Sequence, residues 1–250
     1  MTCLFCRGIL DKSSQSHVLP ASLGGEDWAC LPEGVVCSGC NQYFGTKVEA
    51  HALGSFPFVC FRIFFGIPTR KKRAPQMETR LGTMRAGTRS GTIGIDPGCD
   101  VVEQKLAGGQ ISQLRILAEV TEPLAIARML LKMGLETIAL DDHELALSSR
   151  FDEARRFARD PQMGTSWWFL LHVNHQALFS RISAGITGPD WSEGVSMSTA
   201  PIEDSELFRL QLMDISAVIP MESRIQPPPL DDLPEPDYRL CRAHVRSRQT

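Results

Sequence analysis

Two Cys-x-x-Cys turns, a helix-period apolar run in mid-chain, and short runs that alternate apolar with polar residues predict an α+β protein. The cysteine turns mark a small zinc-stapled module at the N-terminus, followed by a larger mixed α+β domain. The expected boundaries are residues 1–66 for the module, 67–79 for a basic linker, 80–225 for the α+β domain and 226–250 for a Pro-rich tail.

Cys3 and Cys6 form the first turn, Cys37 and Cys40 the second. This spacing lets both sulfurs of a pair, with the amides between them, wrap one tetrahedral ion, and four thiolates select Zn2+. A closed four-sulfur shell leaves no place for water, so such an ion is structural. Its binding contributes roughly 10–16 kcal/mol to folding, more than a core of this size supplies alone. A disulfide pair, a redox Cys-x-x-Cys and an iron–sulfur cluster fit the same residues. The other four cysteines (Cys30, Cys60, Cys99 and Cys241) are scattered and lack the regularity of a disulfide framework.

The apolar stretch 56–67 contains Pro57 and Arg62 and falls short of a bilayer-spanning length, so it is expected as a buried strand or helix. With cysteines where a secretory signal would carry basic and then apolar residues, the expected location is cytoplasmic, away from membranes. Residues 69–76 read as a connector, with prolines at 68 and 75 discouraging a continuous helix. The net charge of −3 does not point to a polyanionic partner, but its distribution does. Residues 62–89 hold eight basic side chains against Glu78 alone, a local excess that a phosphate backbone would attract.

In the larger domain, residues 80–120 read as strands punctuated by glycine, including 91–95 and 113–120. Thr121 is expected to cap a helix that begins around Pro123 and buries Leu124, Ala127, Leu130, Leu131 and Leu135. A second helix is expected over 143–159, then strands over 167–173, 181–186, 195–199 and 207–218. Residues 226–236, with five prolines, read as an extended tail. The acidic group from Asp141 to Glu144 suits a helix start, and Trp167 and Trp168 suit a core.

Between the cysteine turns lies Ser16-His17-Val18-Leu19-Pro20, then Leu23-Gly24-Gly25; directly after the second turn comes Asn41-Gln42-Tyr43-Phe44-Gly45, then Val48-Glu49. Over residues 3–53 this order resembles the zinc-containing branch of the HNH endonuclease family. The resemblance implies a ββα-metal fold in which a hairpin and a helix hold a divalent ion against a phosphodiester. It implies that His17 is the general base, a role suited to an imidazole, and that Asn41 is a ligand of a catalytic Mg2+ or Mn2+. Ser16 stands where the family carries an acidic ligand, and the loop 26–36 contains no asparagine to match the family's middle one. Glu49, eight residues beyond Asn41 on the expected helix, becomes a further candidate ligand. His17 as a structural histidine and Asn41 as a helix cap are the bland readings.

The run Arg70, Lys71, Lys72 and Arg73 fits either a solvated linker or an arm that tracks phosphates. The implied activity is metal-dependent endonucleolytic hydrolysis of nucleic acid, DNA rather than RNA, in bacterial anti-phage defence or a mobile element. Its rival is a non-catalytic zinc-ribbon nucleic-acid-binding protein. The larger domain is left for targeting, sensing, a regulatory partner or homo-oligomerisation.

Overall fold

A computed structural model of the chain describes residues 2–10, 13–25, 27–68, 72–87, 92–110, 119–174, 176–177, 180, 194–202, 205–229 and 238–245. At the N-terminus, β1 (Ser13–Ser14) pairs antiparallel with β2 (Val36–Cys37). The chain passes from β2 directly into α1 (Ser38–Tyr43), whose cap is Cys37; the Cys37 sulfur accepts the Cys40 amide. The helix continues through a π-helical turn, Phe44–Glu49, into α2 (Ala50–Ala52). Phe5 packs on Phe44 with ring centroids 4.5 Å apart. The stretch expected to be buried is α3 (Phe58–Phe64), with every residue inside, Arg62 included.

Strands β3 (Gln76–Thr79), β4 (Gly82–Ala86) and β5 (Ile93–Pro97) form an antiparallel three-stranded sheet. Gly82 has φ 131°, and a Cβ there would lie 2.0 Å from the Asp96 carbonyl oxygen, so the hairpin requires glycine. Where strands were expected, α4 (Asp100–Ala107) is a helix with no buried residue. The expected strand at 113–120 falls mostly outside the described residues, as does the one at 181–186.

The centre of the molecule is α5 (Pro123–Asp141), buried without a break from Ala125 to Ala139. It begins on Pro123 as expected, but Thr121 does not cap it. Instead Ser55, from the N-terminal module, accepts the Thr121 and Glu122 amides at 3.1 and 3.3 Å. The helix expected over 143–159 is broken into α6 (His143–Ala146), a 3-10 turn at Ser149–Phe151 and α7 (Asp152–Arg159). Arg155 donates to the Ala146 and Ser148 carbonyls at the break, satisfying acceptors that a continuous helix would have paired.

The second sheet is wholly antiparallel, in the order β10-β6-β9-β8-β7: β6 (Ser166–Val173), β7 (Val195–Ile202), β8 (Ser205–Leu212), β9 (Ile215–Pro220) and β10 (Arg239–His244). The expected strand 207–218 is therefore two strands around a turn at Met213 and Asp214, and β10 had no counterpart in the sequence reading. Helix α5 lies against this sheet. At the crossing, a Cβ on Gly134 would meet Met221 Sδ at 2.6 Å and Phe208 Cβ at 2.9 Å. One hydrophobic core runs from Cys3 through α3, α5 and α7 to Ala243, so the module and the sheet share an interior. Among the described residues no helix is long and apolar enough to cross a membrane.

Candidate functional site

The sulfurs of Cys3, Cys6, Cys37 and Cys40 lie within 4.8 Å of one another, the only such group of metal-binding side chains among the described residues. A tetrahedral Zn2+ with bonds of about 2.3 Å spaces its sulfurs roughly 3.8 Å apart, and Cys6 Sγ stands 3.8 Å from Cys37 Sγ. The Cys37 amide donates to Cys3 Sγ and the Cys40 amide to Cys37 Sγ, both at 3.4 Å, as knuckles around an ion require. A hydrogen bond from Cys40 holds the Cys3 thiol down at about 4, while Cys40 is pushed up by that same bond and by burial. Four sulfurs this close cannot all ionise beside one another in the absence of a cation, and a divalent ion removes the conflict. The donor set therefore fits structural zinc. Arg159, from α7, hydrogen-bonds Cys40 and lies 3.6 Å over the Tyr43 ring, placing positive charge beside the thiolates.

His17 stands on an extended segment bridged to Cys30 in antiparallel fashion. The Val18 amide donates to the Ala29 carbonyl at 2.7 Å and the Leu31 amide to the Ser16 carbonyl at 2.8 Å, which fixes the register. The imidazole is half-buried, and its Nδ1 lies 3.0 Å from Cys30 Sγ.

Ser16 is fully buried, and its hydroxyl donates to Glu136 Oε1 at 2.8 Å, on α5. Glu136 in turn meets Lys132, one helical turn earlier, at 2.9 Å. Lys132 is 1% exposed; it donates to the His17 carbonyl at 2.7 Å and reaches Glu49 Oε1 at 3.0 Å. A single ammonium from outside the module thus binds three residues that the sequence placed near the site or in its helix, directly or through Glu136. Burial lowers the Lys132 pKa, but the charges of Glu136 and Glu49 outweigh it and hold the amine protonated. Burial raises Glu136 to about 7 against the opposing pull of Lys132 and Ser16.

Asn41 lies inside α1, and does not begin it; its amide nitrogen donates to Ser14 Oγ at 3.1 Å and to the Gln15 carbonyl at 3.0 Å, fastening the helix to the segment that leads into His17. The structure brings Ser16, the His17 backbone and Glu49 together through Lys132. The Ser16 hydroxyl is engaged by Glu136, and Glu49 Oε1 by Lys132.

Of the basic run, residues 70 and 71 fall outside the described residues, while Lys72 and Arg73 are exposed. The local charge excess is smaller than the count implied. Arg62 is buried in α3, and Arg85 pairs with Asp96 at 2.6 Å. Trp167 and Trp168 are core residues whose indole N–H groups donate to the Pro220 and Ile225 carbonyls. Asp142 caps α6 through the Leu145 amide. Cys30, Lys132 and Glu136 escaped the sequence reading. Only the i, i+4 spacing of Lys132 and Glu136 offered a signal, and it reads equally well as a surface pair.

No curated protein and no solved structure matches the chain. The cysteine cluster, the His17 strand and the helix carrying Asn41 and Glu49 all lie within residues 3–57, and that segment matches the family model of the HNH endonuclease.

Proposed function

We propose that the protein is an endonuclease that hydrolyses phosphodiester bonds, with DNA as its substrate. The observation that carries this reading is a half-exposed His17, fixed through its backbone to the segment around Cys30 and to Lys132, inside a segment that matches the HNH endonuclease family and is organised around four cysteines. The imidazole takes a proton from water as the water oxygen bonds to phosphorus; the bond to the leaving oxygen breaks, and that oxygen takes a proton from solvent. The scaffold's part is to hold the ring: zinc fixes the β2 and α1 end, Asn41 ties that helix to Ser14 and Gln15, and Lys132 anchors the His17 carbonyl. Exposed Lys72 and Arg73 are suited to follow the phosphate backbone beside the module. The Ser16 hydroxyl and Glu49 Oε1 are held by Glu136 and Lys132. Dependence on Mg2+ or Mn2+ is the expectation carried by the family. Bacterial defence against phage, or a mobile element, is the setting that goes with it.

The test is nicking of supercoiled plasmid by the full chain with Mg2+ or Mn2+. Wild type yields nicked and then linear DNA, and His17→Ala lowers the rate on the order of 100-fold or more. The orientation of Ser16 toward Glu136 favours a second reading, a non-catalytic nucleic-acid-binding module. Salt-sensitive plasmid binding with no nicking in either metal establishes that reading and ends the first.

A further inference from the structure

We propose that Cys30 is the positioning residue of His17: its sulfur accepts the Nδ1 hydrogen of the imidazole and holds the ring in the tautomer whose Nε2 lone pair faces the attacking water. The inference rests on the endonuclease reading for its chemistry.

An imidazole has two nitrogens, and only one can serve as a base while the other is held. Here the held nitrogen is Nδ1, 3.0 Å from Cys30 Sγ. The nitrogen left for water is then Nε2, which must be unprotonated to accept a proton, so the ring hydrogen belongs on Nδ1 and Cys30 is the acceptor. With the thiol hydrogen pointing the other way, Nε2 would carry the hydrogen and the base would be disarmed. The direction of one hydrogen bond therefore sets whether His17 can act.

The contact does not depend on two flexible side chains finding each other. His17 and Cys30 face one another across an antiparallel bridge, flanked on both sides by backbone hydrogen bonds of 2.7 and 2.8 Å. Cross-strand partners of this kind bring their Cβ atoms to about 5 Å. The Lys132 ammonium on the His17 carbonyl removes a further freedom. The loop 26–36, which holds no asparagine, supplies a sulfur at the point where the imidazole needs an acceptor. The arrangement does for the tautomer of His17 what an orienting carboxylate does for the histidine of a hydrolytic triad: it keeps the ring hydrogen on Nδ1 and fixes the ring's orientation.

The experiment uses the full zinc-loaded chain with 15N-labelled histidine, in which long-range proton–nitrogen spectra at alkaline pH report which nitrogen of His17 is protonated. Wild type is expected to show the Nδ1–H tautomer. Cys30→Ala is expected to shift His17 to Nε2–H, while Cys30→Ser, which keeps an acceptor, retains Nδ1–H. In plasmid nicking, Cys30→Ala is expected to lower kcat on the order of 100-fold with KM little changed, and Cys30→Ser to recover part of the loss. An Nε2–H signal for His17 in wild type overturns the proposal without recourse to any variant, as does an unaltered tautomer in a folded Cys30→Ala chain. A Cys30-dependent Nδ1–H tautomer in a chain that does not nick DNA upholds the positioning and removes the endonuclease reading.

Discussion

Replacing Lys132 with Met should destabilise the folded chain by about 3–5 kcal/mol at pH 8, because it removes the cation between two buried or half-buried carboxylates. Glu136 is 0% exposed and the Glu49 side chain 17%, and Lys132 is the ammonium that meets both. Met preserves most of the side-chain volume, so the loss is electrostatic and not a cavity. Part of it can be relieved by protonation. Glu136 already sits near 7, and with Lys132 gone its main stabilising charge is gone too, so at pH 5 it is neutral in the folded state. The destabilisation should therefore shrink at pH 5 and be largest at pH 8. Urea unfolding of the zinc-loaded chain measures this directly: with a slope of about 3 kcal/mol per molar, the midpoint at pH 8 should fall by 1 M or more. Adding Glu136→Leu to the variant should recover part of the loss, since it removes the buried charge; Glu49 reaches solvent, while the Ser16 hydroxyl and the His17 carbonyl lose their partners. A loss below about 1 kcal/mol at pH 8, or an equal loss at both pH values, would refute the view of Lys132 as the buried counter-ion of the module.

The same cluster predicts a pH slope. Glu136 is raised on folding, so the folded state holds its proton between about 4.5 and 7 where the unfolded chain releases it; its contribution to stability is present below that window and lost as pH rises through it, by up to about 3 kcal/mol. Glu136→Leu should flatten that part of the stability–pH curve measured by urea unfolding. Ser16→Asp, which restores the acid typical of the family, should lower stability and leave nicking no faster, because the new carboxylate would face Glu136 where the hydroxyl now donates at 2.8 Å; faster nicking would show that the side chain turns toward the substrate. Metal analysis should find one zinc per chain, and Cys40→Ser should lose it together with the fold of the module, read by near-ultraviolet circular dichroism. Gly134→Ala should cost about 1–3 kcal/mol in thermal or urea unfolding, since its Cβ would press on Phe208 Cβ, which cannot move without its strand.

What the sequence disclosed was what local geometry dictates. The knuckles at Cys3, Cys6, Cys37 and Cys40 were legible because a tetrahedral ion imposes close spacing within each pair, and α5 because Pro123 opens a series of apolar residues at helical spacing. Helix α4 was not, since it is short and buries nothing, and Val102 and Leu106 make a single i, i+4 repeat. The break between β8 and β9 was hidden by Met213, which takes φ 53° in a two-residue turn where Asn or Gly would have announced it. Arg62 counted toward a basic surface, yet lies inside α3. The His17 and Cys30 pair could not be read either, because a contact across thirteen residues depends on strand register, and Cys30 looked like one of four unrelated cysteines.

A further set of features was invisible for another cause: they join the segment 3–57 to the rest of the chain. Ser55 holds the amides that lead into α5, Lys132 and Glu136 take up Glu49, Ser16 and the His17 carbonyl, and Arg159 hydrogen-bonds Cys40. Each is an unremarkable residue until its partner is known. Together they mean that the backbone of His17 is held by a helix belonging to the larger fold, so a displacement of α5 would reach the His17 carbonyl through the Lys132 side chain and its 2.7 Å hydrogen bond. The four-cysteine cluster, which fits structural zinc, lies at one end of the module; the ammonium of Lys132 lies at the other, and the candidate base stands between them.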